Sequence, residues 1–253
     1  MIRFFSVIWV YYFLIKIYHK VQKARLRAIF IDVPGLSEYE KIWDLQKRIH
    51  SLRVKKVIYD VLIFTEHGHV YTIGKAGDES DLKIGENFLK HLGIKFFKID
   101  RGGKITYHGP GQIVGYPVFH LEELGIDVHS YLRMIEEVII LTLSDFGIKS
   151  ERRSNLTGVW VGEDKIASIG IKVSHWVTMH GFALNVNTDL KYFDFIFPCG
   201  LRDVKMTSMQ RILGREVDIG EVKKVLREKF ENVFGFEFIE TDLEIFEKKR
   251  EIF

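Results

Sequence analysis

A single cysteine, Cys199, in 253 residues limits what can hold this chain together. One thiol forms no intrachain disulfide, no multi-cysteine zinc site and no cysteine-ligated iron–sulfur cluster, so the fold has to rest on an apolar core. Hydrophobic residues make up 47% of the chain, enough to build one. Lys and Arg number 37 against 34 Asp and Glu, interspersed rather than blocked, and a formal charge of +3 does not call for a nucleic-acid partner. A lone thiol suits a reducing compartment, which makes the cytoplasm the expected location. Whether such a cysteine is packing material or a nucleophile depends on its neighbours.

The N-terminus reads as an extension. Phe4 to Ile15 is a run of apolar and small residues, and Lys16, Lys20, Lys23, Arg25 and Arg27 follow it. About 12 such residues fall short of the roughly 20 that a bilayer core needs, and charges stand where a signal peptide carries its cleavage site. Residues 1–26 are therefore expected to precede a domain of residues 27–253. Contact of residues 4–25 with a membrane surface, aromatic side chains inserted and cations on anionic headgroups, is the alternative.

Past Ala28, strands and helices alternate without repeats or linkers. Arg27–Asp32 predicts a strand closed by Pro34-Gly35, and Ser37 with Glu40 predicts a capping box ahead of a helix carrying Ile42, Leu45, Ile49 and Leu52 on one face. Val57–Phe64 and Val70–Ile73 are apolar runs that predict a hairpin around His67-Gly68-His69. A short helix through Leu82, Phe88, Leu89 and Leu92 and a strand through Phe96, Phe97 and Ile99 follow. The clearest helix runs from Asp127 to Phe146, with Gly147 as its stop. Gly158–Val161 and Lys165–Val173 predict a second hairpin, His175–Val186 continues the sheet, and Asp218 with Glu221 caps a last helix. Strand runs outnumber helices, so the expected class is α+β, a single domain with a mixed, largely antiparallel sheet flanked by helices.

Three segments carry chemistry. Residues 101–112 hold Gly102, Gly103, Gly109 and Gly111 beside Arg101, Tyr107 and His108, a glycine-rich turn on which a substrate can lie against the main chain. It matches neither the phosphate loop nor the dinucleotide fingerprint. Lys165 opens an otherwise apolar strand and shares a face with Ala167 and Ile169; desolvation there disfavours the ammonium form, while a stem that snorkels to water is the plainer reading. Cys199 lies between Pro198 and Gly200, a turn that exposes the thiol and frees the next backbone N–H for an oxyanion. The thiol needs a basic partner to become a strong nucleophile, and Lys165, His108 and His180 are the candidates. His67 and His69 alternate onto one strand face, but no further ligands stand at zinc-site spacing, so no metal is expected.

These segments, RGGKITYHGPGQ at 101–112, LTGVWV to KIASIG at 156–170, HGFALNV at 180–186 and FPCG at 197–200, resemble the lipoyl(octanoyl) transferase family, octanoyl-[acyl carrier protein]:protein N-octanoyltransferases. The resemblance implies the fold of the biotin and lipoate protein ligase catalytic domain. It implies transfer of an octanoyl (or lipoyl) group from octanoyl-acyl carrier protein to a lysine of lipoyl domains, those of 2-oxoacid dehydrogenase complexes or the glycine cleavage H protein. By the same route Cys199 is implied as nucleophile and Lys165 as its proton-handling partner. Arg101, Gly102, Gly103, Lys104, Ile105, Thr106, Tyr107, His108, Ser168, Ile169, Gly170, Gly181, Phe182 and Ala183 are implied to line the acyl pocket. Glu66-His67-Gly68-His69 departs from the family's His-Pro-Pro turn, and residues 1–26 have no counterpart in its core. A thioester donor is already activated, so neither ATP nor another cofactor is expected.

Three other readings compete. An ATP-dependent lipoate or biotin ligase of the same fold needs no cysteine. A hydrolase would give the acyl group to water. A non-enzymatic carrier-binding module would be indifferent to loss of Cys199.

Overall fold

A computed structural model describes residues 25–85, 89, 91–154, 156–197, 204–243 and 246. Among the described residues eleven strands form two sheets: β1 (Leu26–Ser37), β2 (Asp60–His67), β3 (Val70–Ile73), β4 (Lys95–Lys98), β5 (Ile105–His108), β6 (Gln112–Val118), β7 (Glu151–Arg153), β8 (Leu156–Val161), β9 (Asp164–Ser174), β10 (Val177–Asn185) and β11 (Phe236–Glu240). The helices are α1 (Tyr39–Val54), α2 (Leu121–Leu124), α3 (Val128–Asp145), α4 (Met209–Leu213) and α5 (Ile219–Phe234), with short 3-10 turns at Glu79–Asp81 and Leu190–Phe195. The large sheet runs β11-β1-β2-β6-β10-β9-β8-β7 and the small one β4-β3-β5. In the large sheet only β11–β1 and β1–β2 are parallel pairs, so the α+β class with a mixed, largely antiparallel sheet holds.

Strand alternation distributes the core over both faces of the large sheet. Leu62 and Phe64 of β2, with Phe182 and Leu184 of β10, meet Ile135, Val138 and Ile139 of α3 and Leu226 and Phe230 of α5. Val61 and Ile63 on the opposite face meet Ile42, Leu45 and Ile49 of α1. Asp127 and Asp218 cap α3 and α5 by accepting from the N–H groups of Ser130 and Glu221, the second as the sequence predicts.

Several local expectations are corrected. The Val57–Phe64 and Val70–Ile73 runs do not pair: β2 lies between β1 and β6, β3 lies between β4 and β5, and the chain crosses from one sheet to the other at Gly68-His69. β1 does not stop before Pro34-Gly35 but continues to Ser37, with an irregularity between Asp32 and Leu36 that accommodates the proline's missing donor. Ser37 does not cap α1, whose N-cap is Glu38; its hydroxyl is taken by Thr65 Oγ1 at 2.8 Å and His67 Nδ1 at 3.0 Å. The helix expected over 82–92 is described only in part, with a 3-10 turn at Glu79–Asp81 and Leu82 bridged to Ile196. The predicted hairpin of β8 and β9 is present, and β10 returns from β9 through His175-Trp176, both at positive φ (51° and 62°).

Candidate active site

The small sheet is clamped to the large one by the glycine-rich loop. Lys75 and Ala76, just past β3, donate their N–H groups to the carbonyls of Arg101 and Gly103, while Gly102 donates across the seam to Ile171 of β9 at 2.8 Å. Arg101 reaches back from this loop: its Nη2 donates to the Thr72 carbonyl at 2.8 Å and hydroxyl at 3.0 Å, and its Nη1 to Gly102 O at 2.9 Å. Close approach requires a glycine opposite, because a Cβ on Gly170 would stand 3.0 Å from Arg101 Cδ and 3.1 Å from Gly102 O.

A narrow cleft of about 50 Å³ opens along this seam. The structure brings Arg101, Gly103, Lys104, Ile105, Thr106 and His108 to one side of it and Ser168, Ile169, Gly170, Gly181, Phe182 and Ala183 to the other. Gly102 and Tyr107 lie outside the lining. Gly102 spends its N–H on β9, and Tyr107 bonds His69 Nδ1 through its hydroxyl at 2.6 Å and stacks on Tyr192 with ring centroids 5.0 Å apart. Tyr39, Val114 and Tyr116 also line the cleft, and sequence reasoning missed them because they read as ordinary core residues of α1 and β6.

Burial disfavours the charged form of the histidines at the cleft. Burial pulls His108 down to about 3 and His67 to about 4, and it pulls His180 below its ordinary value despite a carboxylate neighbour. His180 sits at φ 59°, with its N–H on Gln46 Oε1 at 2.9 Å and its Nε2–H donated to Asp100 Oδ1 at 2.8 Å. Asp100 also accepts from Lys172 Nζ at 2.6 Å; His180 first, and then Lys172, hold its carboxyl well below the usual carboxylate range. His108 donates from Nδ1 to Gln112 Oε1 at 2.8 Å, since the Gln112 amide nitrogen is committed to Tyr107 O and Asn185 Oδ1. Asn185 in turn donates to Thr207 O at 3.0 Å. One ring nitrogen of each histidine is thereby engaged, Nδ1 of His108 and Nε2 of His180. His67 is likewise engaged, through Nε2 with the Tyr116 hydroxyl at 2.7 Å, and no cluster of three or more metal-ligating groups occurs among the described residues.

Lys165 is 3% exposed at the start of β9. Its Nζ donates to Thr157 O at 3.0 Å and lies 4.8 Å from the Trp160 ring centroid. Its stem crosses Gly158, where φ is 129° and a Cβ would stand 2.6 Å from Lys165 Cε; the Gly158 N–H is fixed by buried Glu136 at 3.0 Å. The Lys165 backbone is flanked on its other side by the segment 205–207: its N–H donates to Lys205 O at 2.8 Å and its carbonyl accepts from Thr207 N at 2.9 Å. Cys199, with Pro198 and Gly200, lies outside the described residues. The described chain runs up to it at Phe197, whose N–H donates to Asp81 O at 2.8 Å, and resumes at Val204.

The sequence profile of the lipoyl protein ligase A/B catalytic domain matches residues 38–231. The octanoyltransferase of Christiangramia forsetii is 47% identical over 220 residues, covering 80% of this chain and 94% of the relative. That of Syntrophobacter fumaroxidans is 44% identical over 218 residues, covering 86% and 96%. Among solved structures, lipoate-protein ligase A bound with ATP superposes with a TM-score of 0.68 at 18% identity, covering 89% of this chain and 95% of that one. A bi-partite lipoate protein ligase from Thermoplasma acidophilum gives 0.68 at 20% identity, covering 88% and 93%. At these identities the structural likeness speaks to the fold alone.

Proposed function

We infer the activity from kinship: this chain belongs to the lipoyl protein ligase A/B catalytic-domain family, and octanoyltransferases are among its relatives. It is an acyltransferase that moves octanoyl groups in protein lipoylation. We propose octanoyl-acyl carrier protein as the donor and lysines of lipoyl domains, in 2-oxoacid dehydrogenase complexes or the glycine cleavage H protein, as acceptors. We assign the catalytic domain to residues 27–253, an extension to residues 1–26, and the reaction to the reducing cytoplasm. Among the described residues no helix is long and apolar enough to cross a membrane.

In this reading Cys199 is the nucleophile and Lys165 its proton carrier. The observation that carries it is the placement of Lys165: a buried amino group on the strand whose backbone pairs with Lys205 and Thr207, six and eight positions after Cys199 in the sequence. Lys165, as the amine, takes the Cys199 proton; the thiolate attacks the octanoyl carbonyl, and the tetrahedral oxyanion collapses with cleavage of the carrier C–S bond. The proton on Lys165 goes to the departing carrier thiolate. The acceptor lysine's ammonium gives one proton to Lys165 and its amine attacks the acyl-enzyme; the adduct collapses to the amide as its second N–H proton passes to the departing Cys199 thiolate, and Lys165 returns its proton to solvent. The eight-carbon chain lies in the cleft against Ile169 and Phe182, each buried methylene contributing about 0.8 kcal/mol.

Acid quenching after mixing with octanoyl-carrier protein tests this. We expect one octanoyl adduct on Cys199, absent in Cys199→Ala, and transfer to a lipoyl domain without ATP. Transfer that requires ATP and leaves Cys199 unmodified would instead assign the chain to ligase chemistry, and octanoate released with no protein acceptor would make it a hydrolase.

A further inference from the structure

A groove runs between the Leu190–Phe195 turn and the start of α4, bordered by Phe197 and Val204, the described residues that flank Cys199 in the sequence. Four cations line it: Lys83, Lys191, Lys205 and Arg211. All four are exposed, and Asp194 is the one carboxylate among the described lining residues. None of the four forms an ion pair among the described residues; Lys83 instead lies 4.5 Å over the Phe197 ring. A second groove, at the start of β1, shows the contrast. Of its four cations, Arg53 and Lys56 are paired with Asp60 and Glu123, while Arg25 and Arg27 stand exposed, so half of its positive charge is neutralised within the groove. The floor of the first groove is apolar, formed by Leu190, Phe193 and Met206.

We propose that this groove docks the acyl donor, an acidic carrier protein whose thioester hangs from a phosphorylated arm. The inference rests on the transferase reading and adds the face by which the donor arrives. Exposed, unpaired cations contribute little to the stability of the chain but lower the cost of bringing up an acidic surface, and they accelerate encounter at low salt. The apolar floor fits the amphipathic arm, and the lining includes Phe197 and Val204, which flank Cys199 in the sequence. Electrostatic complementarity on a rim acts on encounter, so the effect belongs in half-saturation rather than in the chemical step.

The test is the double variant Lys191→Glu/Arg211→Glu, in which neither side chain touches Lys165 or the cleft. Direct titration of octanoyl-carrier protein onto this variant, on a Cys199→Ala background so that no chemistry intervenes, is expected to show binding weakened about tenfold at low salt. The wild-type surface is expected to lose affinity as salt rises, and Lys191→Arg/Arg211→Lys to bind as wild type. In single-turnover acylation the half-saturating carrier concentration should rise about tenfold, while octanoyl-pantetheine, which has no protein surface, acylates wild type and variant alike. Unchanged carrier binding overturns the proposal, as does equal loss with octanoyl-pantetheine. A defect confined to transfer from octanoyl-enzyme to lipoyl domain also overturns it, giving the groove to the acceptor. If octanoyl-pantetheine fails to acylate wild type while carrier binding still depends on the groove, the catalytic reading fails and the docking surface stands.

Discussion

Lys165 and Lys172 sit seven residues apart on β9, and the strand uses them in opposite ways. Lys172, about one third exposed at 31%, holds a carboxylate, Asp100, which His180 shares. Lys165 is buried against a carbonyl and an indole face, its stem threaded over a glycine. One end of the strand is a surface ion pair that ties the glycine-rich loop to the sheet; the other sets a proton-bearing group beside the chain that leads from Cys199. The difference teaches that a lysine's task is read from what receives its ammonium group and not from its place on a strand.

The comparison breaks most sharply at Lys165. Lys165→Met keeps the apolar stem over Gly158 and removes the amine; we expect a folded protein whose Cys199 acylation in rapid quench is slower by about 10²–10⁴. An unchanged rate would make both lysines structural and erase the contrast. Gly158→Ala tests how the stem is seated. The new Cβ meets Lys165 Cε and the Ala167 carbonyl, so we expect destabilisation of about 1–3 kcal/mol in urea unfolding and acylation slowed about tenfold. The smallest effect belongs to the other end. Lys172→Met should shift stability by at most about 1 kcal/mol at neutral pH, because the pair is partly exposed. Its signature is acidic. Asp100 is held ionised below its unfolded value, so its contribution is full above about pH 4 and is lost as pH falls through the folded value. With Lys172 gone that folded value rises toward the unfolded one, and thermal unfolding scanned from pH 7 to 3 should show a smaller acid-dependent loss than in wild type.

Much of the fold was legible where local signals and tertiary contacts agree. The caps of α3 and α5 and the β8–β9 hairpin follow from residues adjacent in sequence. The failures share a cause. β2 and β3 look like a hairpin because both are apolar strands around a glycine, yet each pairs with strands far away in sequence, and local pattern carries no information about that choice. Ser37 has the look of a cap but its hydroxyl finds His67 and Thr65 across the β1–β2 pair. In the candidate site, the glycine-rich loop and the 168–170 and 181–183 stretches stand out by composition, and the structure brings most of them to one cleft. Tyr39 and Tyr116 are equally part of that lining, but aromatic residues in a core helix and a core strand announce nothing. The Gln112–Asn185–Thr207 chain was hidden for another reason: hydrogen bonds between residues up to 73 positions apart leave no periodic trace.

The two ends of the Cys199 turn are moored differently. Phe197 hangs from Asp81, beside the small sheet, while Lys205 and Thr207 are laced to Lys165 in the large one. A chain whose large sheet has formed but whose small sheet has not yet seated therefore holds the lysine and one mooring, and lacks the other. Under the acyl-enzyme mechanism we propose, acyl capture is in this way tied to completed assembly, and formation of the acyl-enzyme would be a chemical report that both sheets have come together.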